Sequence, residues 1–299
     1  MERIKFEDRG FPEKLRKIEN PPNEIYVEGN KEILNNNLIA VIGSRNNTAY
    51  GKKWCEKFCK DLLEANLNIV SGMAVGIDSI AHKSSIMADV PTVAVLPSGL
   101  DNIYPMENIE LYNKIISKGG VVISEYKPQT KASYNKFIER NRIVAGLSIG
   151  VLVVEAAHRS GTSITAGIAR SQEKPVFCIP GDLENSKSVG TNRLIQEGAI
   201  LVTSAEDIIS KYDFLHKVKE RKSTKRKLKT EEKKDAKENE GIVDERYRSI
   251  YELIPDEGIN VNDIVSLNNL NLSQVMEAIT MLEVMGKIKR KAGNKYSRT

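Results

Sequence analysis

Serines, glycines and arginines are where this sequence could do chemistry. Residues 68–82 read Asn-Ile-Val-Ser-Gly-Met-Ala-Val-Gly-Ile-Asp-Ser-Ile-Ala-His. Leu67, Ile69 and Val70 pattern as the end of a buried strand. Ser71 and Gly72 break it, Gly76 adds a second tight point, and Ile77, Ile80 and Ala81 begin a helical face. A strand feeding a glycine turn into a helix aims unpaired N–H groups and the positive end of the helix dipole at one spot, which is an anion site. The spacing is not GxGxxG, and no Lys-Ser or Lys-Thr pair follows, so this is neither a dinucleotide fingerprint nor a P-loop. The same glycines would also serve tight helix–strand packing, and the turn alone does not choose.

Phe137-Ile138-Glu139-Arg140-Asn141-Arg142 is the second cluster. Two arginines and an asparagine beside an aromatic suit a phosphate backbone with a splayed base, guanidinium to phosphate and ring to base. The alternative is a helix start with Phe137 in the core and Arg140 paired to Glu139 or Glu125. Catalytic constellations are poorer. Asp78, Asp101, Glu125 and Glu155 are spread along the chain with nothing to place two of them together. His82 falls on the apolar side of its helix, as a core histidine would. The sequence names no reaction.

The elements that must position these residues alternate from Leu38 to about Tyr212. Apolar runs at Leu38–Ile42, 67–70, Thr92–Leu96, Val121–Ser124, Gly150–Val154, Pro175–Ile179 and Ala199–Val202 read as strands. Between them, helices are predicted around Tyr50–Leu62, from Ile77, and over Asn108–Ser117, Asn135–Ala145, Ser163–Ser171 and Thr191–Gln196. Tyr50, Trp54, Phe58 and Leu62, four apart, are predicted to mark one helical face. Strands apolar throughout and separated by amphipathic helices indicate a mostly parallel sheet covered on both faces, a doubly wound α/β fold. Ligands in such folds sit at the carboxyl ends of the strands. Those ends supply Gly43-Ser44-Arg45, Ser71-Gly72, Ser98-Gly99, Ser124-Glu125 and Glu155, with Ser160-Gly161-Thr162 behind. Arg45, Arg140 and Arg142 are expected to converge there, beside Ser71 and Gly72.

The 299 residues suit one large and one small domain, and the net charge is +5. Residues 216–240 hold eleven Lys/Arg against six Asp/Glu, which is the whole excess. That stretch has almost no apolar side chain and reads as a solvated linker, so net charge is no argument for a basic folded surface. No apolar run approaches a membrane span, and the first residues lack the apolar core of a signal peptide, so the expected compartment is the cytoplasm. Cys55, Cys59 and Cys178 form neither a disulfide framework nor a zinc pattern.

Several ordered motifs carry a resemblance. Val41-Ile42-Gly43-Ser44-Arg45 with Tyr50-Gly51, Ser71 through Asp78 with Ala81-His82, and Gly99-Leu100-Asp101 with Tyr104-Pro105 resemble the DprA/Smf family of DNA-processing proteins. Phe137 through Ile143, Val154-Glu155-Ala156, Ser160-Gly161-Thr162, Pro180-Gly181 and Gly190-Thr191-Asn192 continue the match, collinear over about residues 11–208. The resemblance implies a Rossmann-like domain that binds single-stranded DNA, dimerises, protects incoming DNA during natural transformation and helps load RecA. It implies no cofactor and no catalysed reaction. Carried over by position, the DNA pocket falls on Gly43, Ser44, Arg45, Ser71, Gly72, Phe137, Arg140, Asn141 and Arg142. The match departs at Ile138, where many members have proline, and in the register of Lys131 and Lys136.

The organisation expected is a lead-in at 1–37, the DNA-binding domain at 38–212, a charged linker at 213–243 and a small domain at 244–299. In the last, Tyr247, Ile250, Tyr251 and Ile254 mark one helix and Val261, Ile264 and Val265 a second. A third carries Val275, Ile279 and Leu282, with Ser273 as its expected N-cap, and a basic hairpin turns at Gly293-Asn294. Three helices and a hairpin resemble a winged helix. The runner-up function is a LOG-like nucleoside-monophosphate phosphoribohydrolase, whose Pro-Gly-Gly-x-Gly-Thr-x-x-Glu loop has Ser160-Gly161-Thr162-Ser163 as its nearest counterpart here.

Overall fold

The computed structural model describes residues 1–158, 160–212, 245–267, 270–291 and 293–299. The expected linker at 213–243 lies outside them. The chain divides into two compact units, Met1–Lys222 and Ser223–Thr299.

In the first unit, the apolar runs become strands β3 (Leu38–Ile42), β4 (Asn68–Ser71), β5 (Val93–Val95), β6 (Val121–Ser124), β7 (Ser148–Val153), β8 (Val176–Cys178) and β9 (Ile200–Leu201). These seven run parallel. Their faces alternate: Leu38, Ala40 and Ile42 of β3 face one core, and Ile39 and Val41 face another. Helices α5 (Tyr134–Leu147) and α6 (Gly161–Ser171) cover the first core, and α2 (Ala49–Glu64) and α3 (Ile77–Met87) cover the second. A strand buried on both faces has no polar side to show, which is why these runs read as continuously apolar.

The lead-in adds two strands to the same sheet. Strand β2 (Glu24–Gly29) pairs antiparallel with β6, and β1 (Glu2–Lys5) pairs antiparallel with β2. The full order is β1-β2-β6-β5-β4-β3-β7-β8-β9. The direction of winding therefore reverses between β3 and β7, and a crevice opens beyond their carboxyl ends.

One expected face shifts. On α2 the buried residues are Gly51, Cys55, Phe58, Cys59, Leu62 and Leu63, while Tyr50 is exposed and Trp54 lies on the flank. A helix turns about 400° in four residues, so each four-residue step drifts about 40° round the axis. Tyr50 and Phe58 therefore sit well apart on the helix wheel.

The second unit comprises α9 (Glu245–Leu253), β10 (Ile259–Asn260), α10 (Val261–Leu267), α11 (Leu272–Val284) and a hairpin of β11 (Ile288–Lys291) with β12 (Lys295–Arg298). Its sheet order is β10-β12-β11. Ile250, Ile254, Ile264, Val275, Ile279, Leu282, Ile288 and Tyr296 form one core. This is winged-helix architecture. The cap of α11 lies two residues before the expected Ser273: Asn271 accepts from the Gln274 N–H, and the Gln274 side chain accepts from the Asn271 N–H. This reciprocal pair satisfies two otherwise orphan donors and starts the helix one residue ahead of Ser273.

Candidate nucleic-acid interface

A cleft of about 550 Å³ opens where the sheet reverses. Ile42, Gly43, Ser44 and Arg45 reach it from the end of β3, Gly72 and Ala74 from the turn after β4, Asp78 from the first turn of α3, Ala157 and Ser160 from the loop after β7, and Gly161 and Thr162 from the start of α6. Helix α5 closes the far side with Tyr134, Phe137, Ile138, Arg140, Asn141 and Val144. The N-termini of α3 and α6 both border it, so backbone donors and positive dipole ends flank the opening.

At the mouth, the exposed Arg45 guanidinium lies 4.8 Å from the centroid of the Phe137 ring. Phe137 meets Tyr104 edge-on, with centroids 5.4 Å apart. Phe137 is therefore not in the core. It is half-buried, one ring in a line of cation, aromatic and aromatic that could hold a phosphate and a base side by side.

Arg140 works below the surface. It is buried, and its Nη1 donates to the carbonyls of Gly72 and, at 2.5 Å, of Val95. The guanidinium thus ties the turn after β4 to the end of β5. A Cβ on Gly72 would stand 2.5 Å from Arg140 Nη1, so a larger residue there would push the guanidinium off its carbonyls. Burial lowers the Arg140 pKa to about 10, with the nearby Asp78 carboxylate opposing that shift. The same burial pushes the Asp78 carboxyl up, and Arg140 pulls it back. Gly76 is the second constrained glycine: its φ is +83°, and a Cβ would lie 2.3 Å from the Ser44 carbonyl oxygen.

Two expected site residues do not line the cleft. Ser71 is buried and its hydroxyl donates to the Val41 carbonyl, tying β4 to β3 at 2.7 Å. Arg142 forks onto Glu125 at 2.9 and 2.6 Å and donates from Nε to the Asn20 carbonyl at 2.9 Å. On a helix, positions two apart point to different sides, so Arg142 cannot follow Arg140 under the turn. The expected convergence of three arginines is therefore limited to Arg45 and Arg140, and the anticipated partner Glu125 belongs to Arg142.

One supporting contact was missed. Glu155, buried at the end of β7, accepts from the Thr48 N–H at 2.9 Å and from the Thr48 hydroxyl. Thr48 is the N-cap of α2, so this carboxylate pins the far end of the loop that carries Ser44 and Arg45. Thr48 ahead of a helical pattern is a legible cap, but its partner 107 residues away is not. His82 is a core histidine: its Nδ1 lies 2.9 Å from the Thr92 hydroxyl, which itself donates to the Ile69 carbonyl. Nδ1 must therefore carry the proton, which leaves Nε2 buried without a partner. Among the described residues, no group of three or more His, Cys, Asp or Glu could hold a metal ion, and no helix is long and apolar enough to cross a membrane.

Known proteins share this arrangement. The family model described as DNA recombination-mediator protein A matches residues 2–213. Protein Smf of Escherichia coli is 40% identical over 204 residues, covering 68% of this chain and 54% of that protein. The chain thus spans about half the length of that relative. DNA processing protein DprA of Bacillus subtilis is 39% identical over 206 residues, 69% of each chain. The structure of DprA from Streptococcus pneumoniae superposes with a TM-score of 0.67 at 39% identity, covering 71% of this chain and 74% of that one. The structure of DprA from Helicobacter pylori, described for its single-stranded DNA binding mode, superposes with a TM-score of 0.63 at 28% identity, covering 74% and 97%. With the family model matched over the whole sheet and its cleft, this chain belongs to the DprA/Smf family of DNA-processing proteins.

Proposed function

We propose that the protein binds single-stranded DNA in the cleft between the ends of β3 and β7, protects it, and helps load RecA on it during natural transformation, acting as a homodimer without catalysing a reaction. The observation that carries the DNA assignment is the Arg45–Phe137 pair at the mouth: a cation without a carboxylate partner among the described residues, stacked on a ring that can take a base. The single-stranded DNA binding named for the Helicobacter pylori relative supports the same reading. Gly43, Ser44, Gly72 and Asn141 offer backbone or amide donors around that pair. Ser71 and Arg140 hold the turn beneath it, and Arg142 holds α5 to the lead-in. Two copies would bring two clefts to one strand, and effective concentration then tightens binding without new contacts.

The phosphoribohydrolase reading would call on Glu155, but that carboxylate is taken by Thr48 and does not line the cleft. The test is fluorescence anisotropy on a single-stranded oligonucleotide at two salt concentrations, with the wild type, Arg45→Ala and Phe137→Ala. Both variants should weaken binding, and only the arginine change should flatten the salt dependence, by about 0.7 in slope per lost phosphate contact. Unchanged affinity in a folded Arg45→Ala/Phe137→Ala double variant would overturn the site. Release of free base from a nucleoside monophosphate would overturn the non-catalytic reading.

A further inference from the structure

Charge in the winged-helix unit is sorted by element. Its first helix is mixed, with Arg248 paired to Glu252, but Asp256, Glu257, Asp263, Glu277 and Glu283 follow on the turn before β10 and on α10 and α11, whereas residues 287–299 hold six Lys/Arg and no Asp or Glu. In the hairpin, Lys291 stands directly opposite Lys295 and Lys289 opposite Ser297. Opposed residues share a face and alternate residues return to it, so Lys289, Lys291 and Lys295 form one lysine face. Ile288 and Tyr296 turn the other way, into the core. Like charges directly opposite destabilise a hairpin. On the first unit's edge strands, Arg3 is answered by Glu24 and Lys31, just after β2, by Glu2. The three wing lysines make no ion pair among the described residues. Lys291 reaches only the carbonyls of Asp256 and Glu257, at 3.1 and 3.3 Å, which orient the ammonium without neutralising it.

We propose that Lys289, Lys291 and Lys295 form a docking face for the phosphodiester backbone of a nucleic-acid duplex, held without reading its bases. This is a second surface, separate from the cleft. The partner is a duplex because the lysine face has no stacking platform: Tyr296, the hairpin's aromatic, is buried. A duplex also carries one charge per ~1.7 Å of axis, twice the line density of one of its strands. Bases go unread because α11 has nothing to read them with. Its one amide, Gln274, is spent in the capping box, and its exposed face carries Glu277 and Glu283.

The experiment uses the full chain and a blunt duplex without single-stranded ends, titrated over a range of salt. Lys289→Gln/Lys291→Gln/Lys295→Gln should weaken duplex binding and make the slope of log K against log salt shallower by about 2.7, at ~0.9 per phosphate contact. The matching triple Lys→Arg variant should keep both affinity and slope. The Gln variant should melt no lower than wild type at low salt, since it relieves the Lys291–Lys295 repulsion, and single-strand binding should not change. Repeating the pair in an Arg45→Ala background separates failure of this face from failure of the cleft. An unchanged duplex slope in the Gln variant, an equal loss in the Arg variant, or strong preference for one duplex sequence over another would overturn the proposal.

Discussion

At the cleft, the guanidinium of Arg45 has a ring beneath it and no ion pair among the described residues, whereas Arg142 is held in a fork by Glu125. A free cation contributes to binding through the counterions its phosphate contact releases, and a forked one contributes to the fold. Arg142→Ala should therefore act first on stability, by about 1.5–3 kcal/mol for hydrogen bonds to a charged group, because Glu125 is left half-buried without its cation. Its single-strand salt slope should stay near wild type. Urea melts and anisotropy on the same preparations separate the two effects, and a flattened slope with unchanged stability would return Arg142 to the DNA. His82 gives a pH dependence. Burial, with Arg140 nearby, lowers its pKa to about 3 from 6.5. The folded state thus excludes a proton that the unfolded state takes up. The stability this histidine supports is full above pH 6.5 and is lost as pH falls from there toward about 3. Between pH 7 and pH 5 that amounts to about 2 kcal/mol. His82→Asn, which keeps a donor for Thr92, should remove that part of the slope in urea melts at the two pH values. An equal slope in both proteins would mean that His82 does not carry it.

The elements were legible wherever burial on both faces made the pattern apolar, as in β3 and β6, or wherever a glycine turn separated strand from helix, as after β4. What stayed hidden had weak or long-range causes. Strand β1 has only Ile4 buried among its four residues, and its pairing with β2 is an edge pairing that polar residues tolerate. The split between Arg140 and Arg142 depends on which side of α5 meets the turn, and composition does not encode that. Glu155 stands at a strand end, where ligands are expected, yet Thr48 takes it. That contact sets an expectation for the loop after β3. Glu155→Ala leaves the Thr48 N–H without its acceptor, which should cost about 1–3 kcal/mol and loosen the loop bearing Arg45. Glu155→Gln keeps one acceptor oxygen and should lose less. Single-strand affinity should fall in the same order, with the salt slope preserved because no phosphate contact is removed. A full loss of binding in Glu155→Gln at wild-type stability would instead point to a direct role in the cleft.

For the whole molecule, single-strand binding should reside in the first unit. Every residue lining the cleft lies between Ile42 and Thr165. The contacts that shape it, Arg140 to Gly72 and Val95, Glu155 to Thr48, and Arg142 to Glu125 and Asn20, all lie within the same sheet and its helices. That unit has cores of its own on both faces of the sheet, and the winged-helix unit has a separate core built from its three helices and hairpin. Tyr212 marks where a cut is tolerable, because its hydroxyl donates to the Ile149 carbonyl at 2.9 Å and its side chain packs against the α2-side core. A chain ending at Tyr212 keeps that contact, and one ending a few residues earlier exposes the start of β7. The shortened chain should melt cooperatively and bind a single-stranded oligonucleotide with affinity lowered by less than about tenfold, or ~1.4 kcal/mol. Its duplex binding should fall to the level of the full-length triple Lys→Gln variant, since both remove the same lysines. Single-strand affinity lost by more than tenfold in a folded truncation would place part of the strand's path on the winged helix. Duplex binding left intact by the truncation would move the duplex contact back to the sheet.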